Sequence, residues 1–291
     1  MQGRIIRGIA GFYYVYSGGE TYECKAAGIF RNRKVKPLVG DLVAFDLVSE
    51  KERTGQIRSI EERKNTLIRP AVSNVDQLFL LFSAVSPAPN YAELNRYLVT
   101  VGELELPVVL VVTKCDLADP EARASVRNAF LHAPYDMRFV SSLTGEGAEE
   151  LREALSGKTT VFSGPSGVGK SSLLNLLAGG EVMAVGDLSK KIERGRNTTR
   201  HAELFSIGKD SFVLDTPGFT AVDIDRLKPE NLALSFGEMI PHLTKCRYPS
   251  CAHLKEPDCA VKQAVEAGEI SRIRYESYAE MMRYLTQLRR Y

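Results

Sequence analysis

Three short motifs follow one another in an order that restricts the possible folds of this chain more than any other feature. TKCD at residues 113–116 comes first, glycine-rich GPSGVGKS at residues 164–171 second, and DTPG at residues 215–218 last. An ordinary α/β nucleotide-binding domain with all three motifs has the glycine-rich loop first, DxxG second and TKxD last. The observed order therefore predicts a circularly permuted domain whose chain is cut open between DxxG and TKxD.

The glycine-rich segment at residues 164–171 has the sequence context of a phosphate-binding loop. It follows an apolar, strand-like run and precedes a helical pattern, as such loops do. Its glycines let backbone N–H groups turn toward phosphates. Lys170 would reach the β- and γ-phosphates, and the hydroxyl of Ser171 would bind Mg²⁺. These features predict nucleotide binding, with Lys170 as part of the catalytic centre.

The TKCD motif indicates which base is bound. The carboxylate of Asp116 would accept hydrogen bonds from guanine N1 and N2, whereas adenine would leave it as an unpaired charge. Ser141 and Ser142 follow the next short strand and are similar to a motif whose backbone contacts the guanine oxygen. The sequence therefore predicts GTP rather than ATP. The predicted GTP-binding residues are Thr113, Lys114, Cys115, Asp116, Ser141, Ser142, Gly164, Pro165, Ser166, Gly167, Val168, Gly169, Lys170, Ser171, Ser172, Asp215 and Gly218.

Two segments are predicted to respond to the γ-phosphate. In the DxxG motif, Asp215 would hold Mg²⁺ through water and the Gly218 N–H would contact the γ-phosphate. The long polar segment 180–201 suits a nucleotide-ordered switch, in which Thr199 (or, alternatively, Thr198) would close on Mg²⁺. The predicted Mg²⁺ ligands are therefore Ser171 and Thr199.

Phe219 occupies the position that holds a water-orienting glutamine in Ras-like enzymes. A hydrophobic side chain cannot orient water. We therefore expect slow intrinsic turnover, with the water oriented by another side chain or by a partner.

Three cysteines and a histidine cluster within residues 246–259. Cys246, Cys251, His253 and Cys259 provide three thiolates and one imidazole, which suits one closed tetrahedral Zn²⁺ site of structural type. The alternative is a group of buried free cysteines.

The sequence pattern divides the chain into three parts. Residues 1–68 read as short strands, at 11–16, 21–25, 41–48 and 56–60, and predict an OB-type β-barrel that binds RNA. Residues 69–224 predict the permuted GTPase domain, and residues 225–291 predict an α-rich zinc-binding domain. Within the GTPase domain, apolar runs predict strands at 78–85, 108–112, 138–140, 159–162, 202–207 and 212–214, and amphipathic runs predict helices at 91–103, 121–130, 147–155 and 170–177.

The last helix is predicted from about residue 270 to the end of the chain, packed against the cysteine cluster. Its expected apolar stripe consists of Ile270, Ile273, Met281, Leu285 and Leu288. The arginines expected on its other faces are Arg272, Arg274, Arg283, Arg289 and Arg290.

Charge and composition restrict the compartment and the partners. The 291 residues are 44% hydrophobic and 25% charged, and no apolar run approaches the roughly 20 residues of a membrane span. We expect a cytoplasmic, monomeric protein without membrane attachment.

Residues 1–68 carry 12 Lys/Arg against 8 Asp/Glu and residues 226–291 carry 11 against 8, so both flanks are mildly basic. One basic group, Arg31, Arg33, Lys34 and Lys36, would either contact phosphates or form a solvated hairpin tip.

In combination, the motifs TKCD, GPSGVGKSSL, GRNTTRH, DTPGF and CRYPSCAHLKEPDCAV identify a close resemblance to the RsgA (YjeQ/YloQ) family of circularly permuted GTPases. The resemblance covers the whole chain. It implies an OB domain, a permuted GTPase core and a zinc domain. It also implies that the small ribosomal subunit and its rRNA are partners, that the subunit stimulates GTP hydrolysis to GDP, and that the protein leaves the subunit afterwards.

One position departs from the family pattern. Many members carry histidine directly before the two threonines of the first switch, as a proposed catalytic residue, and this chain has Asn197. Asparagine can hydrogen-bond water but cannot take its proton near neutral pH. Lys170, Thr199 and Asn197 are accordingly the predicted residues of the catalytic centre.

Two rival interpretations remain open. In the first, the protein is an RNA-binding assembly module in which GTP is a structural ligand and hydrolysis is vestigial; Asn197 and Phe219 are compatible with it. In the second, the basic flanks bind DNA or an anionic membrane, although no lipidation motif supports a membrane.

Overall fold

In a computed structural model of the chain, the described residues are 1–28, 30, 35–68, 70–180, 202–215 and 223–289. Contacts divide the chain into two compact units. The first consists of residues 1–80 and 147–218, and the second of residues 81–146 and 219–291. The segment predicted to be the GTPase domain thus contributes to both units. The three-part division 1–68, 69–224 and 225–291 stays a prediction.

The first unit begins with a closed five-stranded barrel, as the sequence predicts. Its strands are β1 (Gln2–Ile9), β2 (Phe12–Ser17), β3 (Glu20–Ala26), β4 (Leu42–Ser49) and β5 (Thr54–Ile60). Their order is β1-β2-β3-β5-β4, and β4 pairs back to β1. Strands β3 and β5 are parallel and the other pairs are antiparallel. Alternate side chains such as Ile5, Val15, Phe45 and Ile57 fill the interior, as the two-residue period of a strand requires.

The first unit also contains the strands that carry the glycine-rich loop. These are the short hairpin β6 (Thr66–Ile68) and β7 (Ala71–Ser73), followed by β8 (Gln77–Ser83), β11 (Thr159–Ser163), β12 (Leu204–Gly208) and β13 (Ser211–Asp215). Strand β11 lies between β8 and β13 and is parallel to both, while β12 pairs antiparallel with β13. Every residue of β8 and β11 is buried, which explains their continuous apolar sequence. Helices α3 (Ala148–Leu155) and α4 (Lys170–Ala178) complete this unit.

Two arginines of β1 attach the barrel to these strands. Arg4 donates from Nη1 to Thr159 Oγ1 at 2.7 Å, and its guanidinium lies 5.1 Å from the centre of the Phe212 ring. Arg7 pairs with Glu203 at 3.3 Å. The barrel is therefore fixed to the strands that flank the phosphate-binding loop.

Within its described residues, the second unit contains the end of β8, strands β9 (Val108–Thr113) and β10 (Asp136–Phe139), and six α-helices. The helices are α1 (Tyr91–Gly102), α2 (Pro120–Ala129), α5 (Pro229–Leu232), α6 (Ile240–Leu243), α7 (Ala260–Glu266) and α8 (Arg272–Leu288). Strand β9 pairs with β8 and, in parallel, with β10. Helix α1 begins at Asn90, whose side chain accepts a hydrogen bond from Glu93 N, and α2 begins at Asp119, followed by Pro120. Both are common helix starts.

The residues after 222 share one hydrophobic core with helix α1. Val99 of α1, Ile224, Phe236, Met239 and Tyr278 are all buried in this core. The segment that follows the DxxG motif is thus packed against the part of the chain that carries TKCD. Ile224 already belongs to this core, only six residues after Gly218.

Sequence and structure agree within two residues at the ends of nearly every predicted element. Strand β1 is not among the strands named from the sequence, and its pairing with β2 has an irregularity between Ile5 and Arg7. The expected stripe on α8 is correct for Met281 and Leu285, which are buried, but Leu288 is 42% exposed.

Arg274, which the sequence pattern places on a face away from the apolar stripe, is buried rather than solvated. Its guanidinium is fully buried: it donates to both carboxylate oxygens of Glu238 at 2.6 and 3.0 Å and to Asn95 Oδ1 at 2.9 Å. The ring of Phe236 lies 4.5 Å from the guanidinium carbon. Arg272, Arg283 and Arg289 are exposed, as expected, and Arg290 lies outside the described residues. A helical pattern cannot reveal a buried arginine whose acceptors come from distant segments.

We expect Arg274→Ala to lower the free energy of opening of helix α8 by about 3–5 kcal/mol, because it leaves the carboxylate of Glu238 buried without a counter-charge. Native-state hydrogen exchange of the α8 amides measures this loss. Arg283→Ala, an exposed change on the same helix, should cost less than about 0.5 kcal/mol. Equal effects of the two changes would show that the buried ion pair contributes little.

Candidate nucleotide and metal sites

The glycine-rich loop lies between β11 and α4, where the sequence predicts it. Gly164, Gly167 and Gly169 have φ angles of 146°, 77° and 98°, which other residues rarely adopt. Gly169 is the N-cap of α4, so the N–H groups of the first helical turn are available to an anion. Val168 is buried, while Ser166 is exposed and Ser171 and Ser172 are half-buried. The backbone has the form that phosphate binding requires.

Lys170 and Asp215 supply the charges beside this loop. Lys170 Nζ donates to the carbonyl oxygens of Gly164 and Pro165, both at 2.8 Å. Both carboxylate oxygens of Asp215 are buried, and neither has a hydrogen-bond partner among the described residues. Burial raises the pKa of Asp215 to about 6, against the opposing effect of Lys170. Since an unpaired buried carboxylate is costly, Asp215 fits the predicted role of holding hydrated Mg²⁺.

The TKCD motif and Ser141 come together in the second unit. The motif begins at Thr113, the last residue of β9, and Cys115 N donates to Val140 O at 3.2 Å. Ser141 donates from Oγ to Asp116 Oδ1 at 2.5 Å, which fixes the carboxylate predicted to read guanine. Lys114 adopts a left-handed conformation and donates from Nζ to Ser86 O at 2.7 Å. Thr113 is buried, and Ser142 is half-buried.

Several predicted residues lie outside the described part of the chain. Among the site residues these are Asn197, Thr198, Thr199, Gly218 and Phe219, and in the barrel Arg31, Arg33 and Lys34. Lys36 is described and exposed. The second Mg²⁺ ligand and the catalytic role of Asn197 therefore stay predictions.

The predicted metal ligands form one tight cluster. The ligand atoms of Cys246, Cys251, His253 and Cys259 all lie within 4.8 Å of one another. His253 Nδ1 is 3.5 Å from Cys246 Sγ and 3.4 Å from Cys259 Sγ, and the two sulfurs are 3.9 Å apart. Tetrahedral Zn²⁺ with bonds of about 2.0–2.3 Å separates its ligand atoms by roughly 3.5–3.8 Å. The four side chains can hold one zinc ion.

Side chains that the sequence pattern did not single out support this cluster. The carboxylate of Glu256 accepts hydrogen bonds from the N–H groups of Ala252, Leu254 and Lys255 at 2.9–3.0 Å. Tyr275 and Tyr278 of α8 donate their hydroxyls to the carbonyl oxygens of His253 and Ala252 at 2.8 and 3.0 Å. The ligand loop is thus held in place by hydrogen bonds around the metal site. Glu256 lies between the ligands His253 and Cys259 in the sequence, and this position is the one sequence feature that could have indicated its supporting role.

A phosphate-binding loop, a TKxD motif upstream of it and DxxG downstream define the class: a circularly permuted P-loop GTPase, here with an N-terminal barrel and a C-terminal Cys₃His cluster. Two family models match the chain, the RsgA N-terminal domain over residues 2–57 and the RsgA GTPase over residues 60–225. The chain belongs to the RsgA family of GTPases.

Curated relatives and solved structures are similar to this chain over nearly its whole length. "Small ribosomal subunit biogenesis GTPase RsgA" of Alkaliphilus metalliredigens is 44% identical over 290 residues, covering 100% of this chain and 99% of the relative. The protein of that name from Agathobacter rectalis is 41% identical and fully covered by the match. The crystal structure of YjeQ from Thermotoga maritima superimposes with a TM-score of 0.77 at 35% identity, covering 98% of each chain. YloQ, described as a circularly permuted GTPase, gives 0.75 at 35% identity over 98% of this chain and 95% of its own.

We expect the purified protein to contain about one zinc ion per chain and Cys251→Ser to lose it. Because metal binding contributes to folding, amide exchange in residues 223–289 should then increase. Elemental analysis and hydrogen exchange provide the two measurements. Cys24→Ala, which removes a buried barrel cysteine, should keep the zinc. A Cys251→Ser protein with full zinc content and unchanged exchange would disprove the site.

Proposed function

We propose that this GTPase binds the small ribosomal subunit and acts in its late maturation, hydrolysing GTP to GDP and phosphate. The observation that carries GTP as substrate is the 2.5 Å hydrogen bond from Ser141 to Asp116, which fixes a guanine-reading carboxylate in a chain that also contains the phosphate loop. The subunit as partner is supported by the full-length similarity to relatives named for its biogenesis.

Within the proposed site, the protein would position GTP and neutralise the charge on its phosphates. It would form no covalent intermediate. The backbone N–H groups of residues 164–172 would hold the phosphates. Lys170 would leave the carbonyl oxygens of Gly164 and Pro165 to reach the β- and γ-phosphates. Ser171 and Thr199 would hold Mg²⁺, with Asp215 acting through water, and the bound ion would neutralise charge developing on the phosphates.

The water-activating step is where we propose that the partner acts. Phe219 cannot orient water, and Asn197 can hydrogen-bond water but cannot accept its proton near neutral pH. Intrinsic hydrolysis should therefore be slow and stimulated by the small subunit, with release of the protein afterwards. Asn197 would orient the attacking water once the bound subunit completes the site.

The two flanking elements are the proposed RNA contacts. The barrel and the zinc-bearing segment both carry a modest excess of basic residues, which suits the rRNA backbone. No helix in the described part of the chain has both the length and the apolar character to cross a membrane. We propose a cytoplasmic protein that acts as a monomer.

An RNA-binding module with GTP as a structural ligand is the second candidate. It is favoured specifically by Asn197, which cannot act as a general base, and by Phe219, which cannot orient the attacking water.

The GTPase rate, measured with increasing amounts of purified small subunits, distinguishes the two candidates. We expect a slow basal rate and stimulation of at least about tenfold, since a partner that completes a GTPase site contributes on the order of 10³–10⁵ in favourable cases. Lys170→Ala should abolish the stimulated rate. A rate that stays at background with saturating subunits, while GTP still binds, would support the structural-ligand alternative.

A further inference from the structure

We propose that Arg123 and Glu146 are positioning residues that set guanine specificity by holding the two base-reading loops together. The inference rests on the proposed GTP site. It adds to that site two residues that belong to none of the sequence motifs.

Arg123, on the first turns of α2, anchors the loop that follows the TKCD motif. It donates from Nη2 to the carbonyl oxygen of Cys115 at 2.8 Å and from Nε to that of Ala118 at 3.3 Å. These carbonyls flank Asp116 and the turn after it. The rigid, planar guanidinium can satisfy both acceptors at once, which a lysine could not do.

The same guanidinium reaches the second base-reading loop through Glu146. Two parallel hydrogen bonds, of 2.7 and 3.0 Å, join Arg123 to the two carboxylate oxygens of Glu146. Hydrogen bonds from Arg123 and from the Cys115 thiol lower the pKa of Glu146, so this carboxylate stays charged at neutral pH.

Glu146 in turn fixes the position of Ser141. The backbone N–H of Ser141 donates to Glu146 O at 3.0 Å, and Ser141 Oγ donates to Asp116 Oδ1. A closed circuit therefore runs from Arg123 through Glu146 and Ser141 to Asp116, and back to Arg123 through the carbonyl oxygen of Cys115. The circuit fixes the Asp116 carboxylate relative to the backbone of Ser141, and these are the two groups that the sequence assigns to the base.

A circuit of this kind affects specificity more than general affinity. Asp116 must accept simultaneously from guanine N1 and from the exocyclic amino group at C2. Inosine keeps N1–H but lacks that amino group, so it demands only one of the two contacts. A less firmly held Asp116 should therefore weaken the binding of GDP more than the binding of inosine diphosphate (IDP). A general destabilisation of the fold would weaken the binding of both nucleotides alike.

The loss of GDP affinity on breaking this ion pair should be moderate, because the two side chains are partly solvated. The side chains of Arg123 and Glu146 are 26% and 45% exposed. Pairs of this kind contribute modestly even when bidentate. We expect Arg123→Gln to weaken GDP binding about fivefold and IDP binding less than about twofold.

Arg127 supplies the matched control. It lies one turn further along α2, is exposed, and stacks on Phe139 with its guanidinium carbon 4.4 Å from the ring centre. Its guanidinium donates no hydrogen bond to a described residue of either base-reading loop, so Arg127→Gln should leave the GDP-to-IDP affinity ratio unchanged.

The test is titration calorimetry of GDP and IDP with the full-length chain and its Arg123→Gln, Glu146→Gln, double and Arg127→Gln variants. We expect the GDP preference to fall in both single variants, and the double variant to be no worse than the larger single effect, because the two residues act through one link. Unchanged ratios in both single variants would overturn the proposal. A wild-type protein that binds GDP no better than IDP would instead refute the proposed guanine site itself.

Discussion

The buried guanidinium of Arg274 joins three segments of the second unit. Its partners Glu238 and Asn95 come from different segments: Asn95 from helix α1 and Glu238 from the residues that follow the DxxG motif. A buried charge is tolerated only when its counter-charge and its hydrogen-bond partners are in place. Helix α1, the 3-10 turn around Glu238 and helix α8 must therefore assemble together. Helix α1 and the zinc-bearing segment are consequently joined by one buried network of hydrogen bonds.

Each unit combines a predicted part of the nucleotide site with one flanking element. The unit with the phosphate loop includes the barrel, which Arg4 fixes to strands β11 and β13 and Arg7 fixes to Glu203, just before β12. The unit with Asp116 and Ser141 includes the Cys₃His cluster. The permutation makes this arrangement possible, because the chain after DxxG continues into the zinc-bearing segment instead of returning to the same sheet.

The places of these motifs in the fold could be predicted from the sequence because they depend on local geometry. Gly169 must cap α4, TKCD must follow a buried strand, and four metal ligands within residues 246–259 can converge without distant help. Long-range features were not accessible in the same way. The burial of Arg274 depends on a carboxylate 36 residues earlier, and the link from Arg123 to Glu146 spans 23 residues. Neither of these two pairs belongs to a recognisable sequence motif. A charged residue on an amphipathic helix is ordinarily predicted to face solvent.

We expect a response of Gly218 to the γ-phosphate to pass along the chain into the second unit, because only a few residues separate Gly218 from the core of that unit. Since Ile224 is already packed in that unit's core, a flexible Gly/Ser insertion directly before Asp223 tests the claim most directly. The measurement is the ratio of small-subunit affinities in the GTP-like and GDP states, with and without the insertion. We expect the GTP-like state to bind more tightly, and the insertion to reduce that ratio while nucleotide affinity stays nearly unchanged. An affinity ratio that is the same with and without the insertion would show that the signal does not pass along this part of the chain.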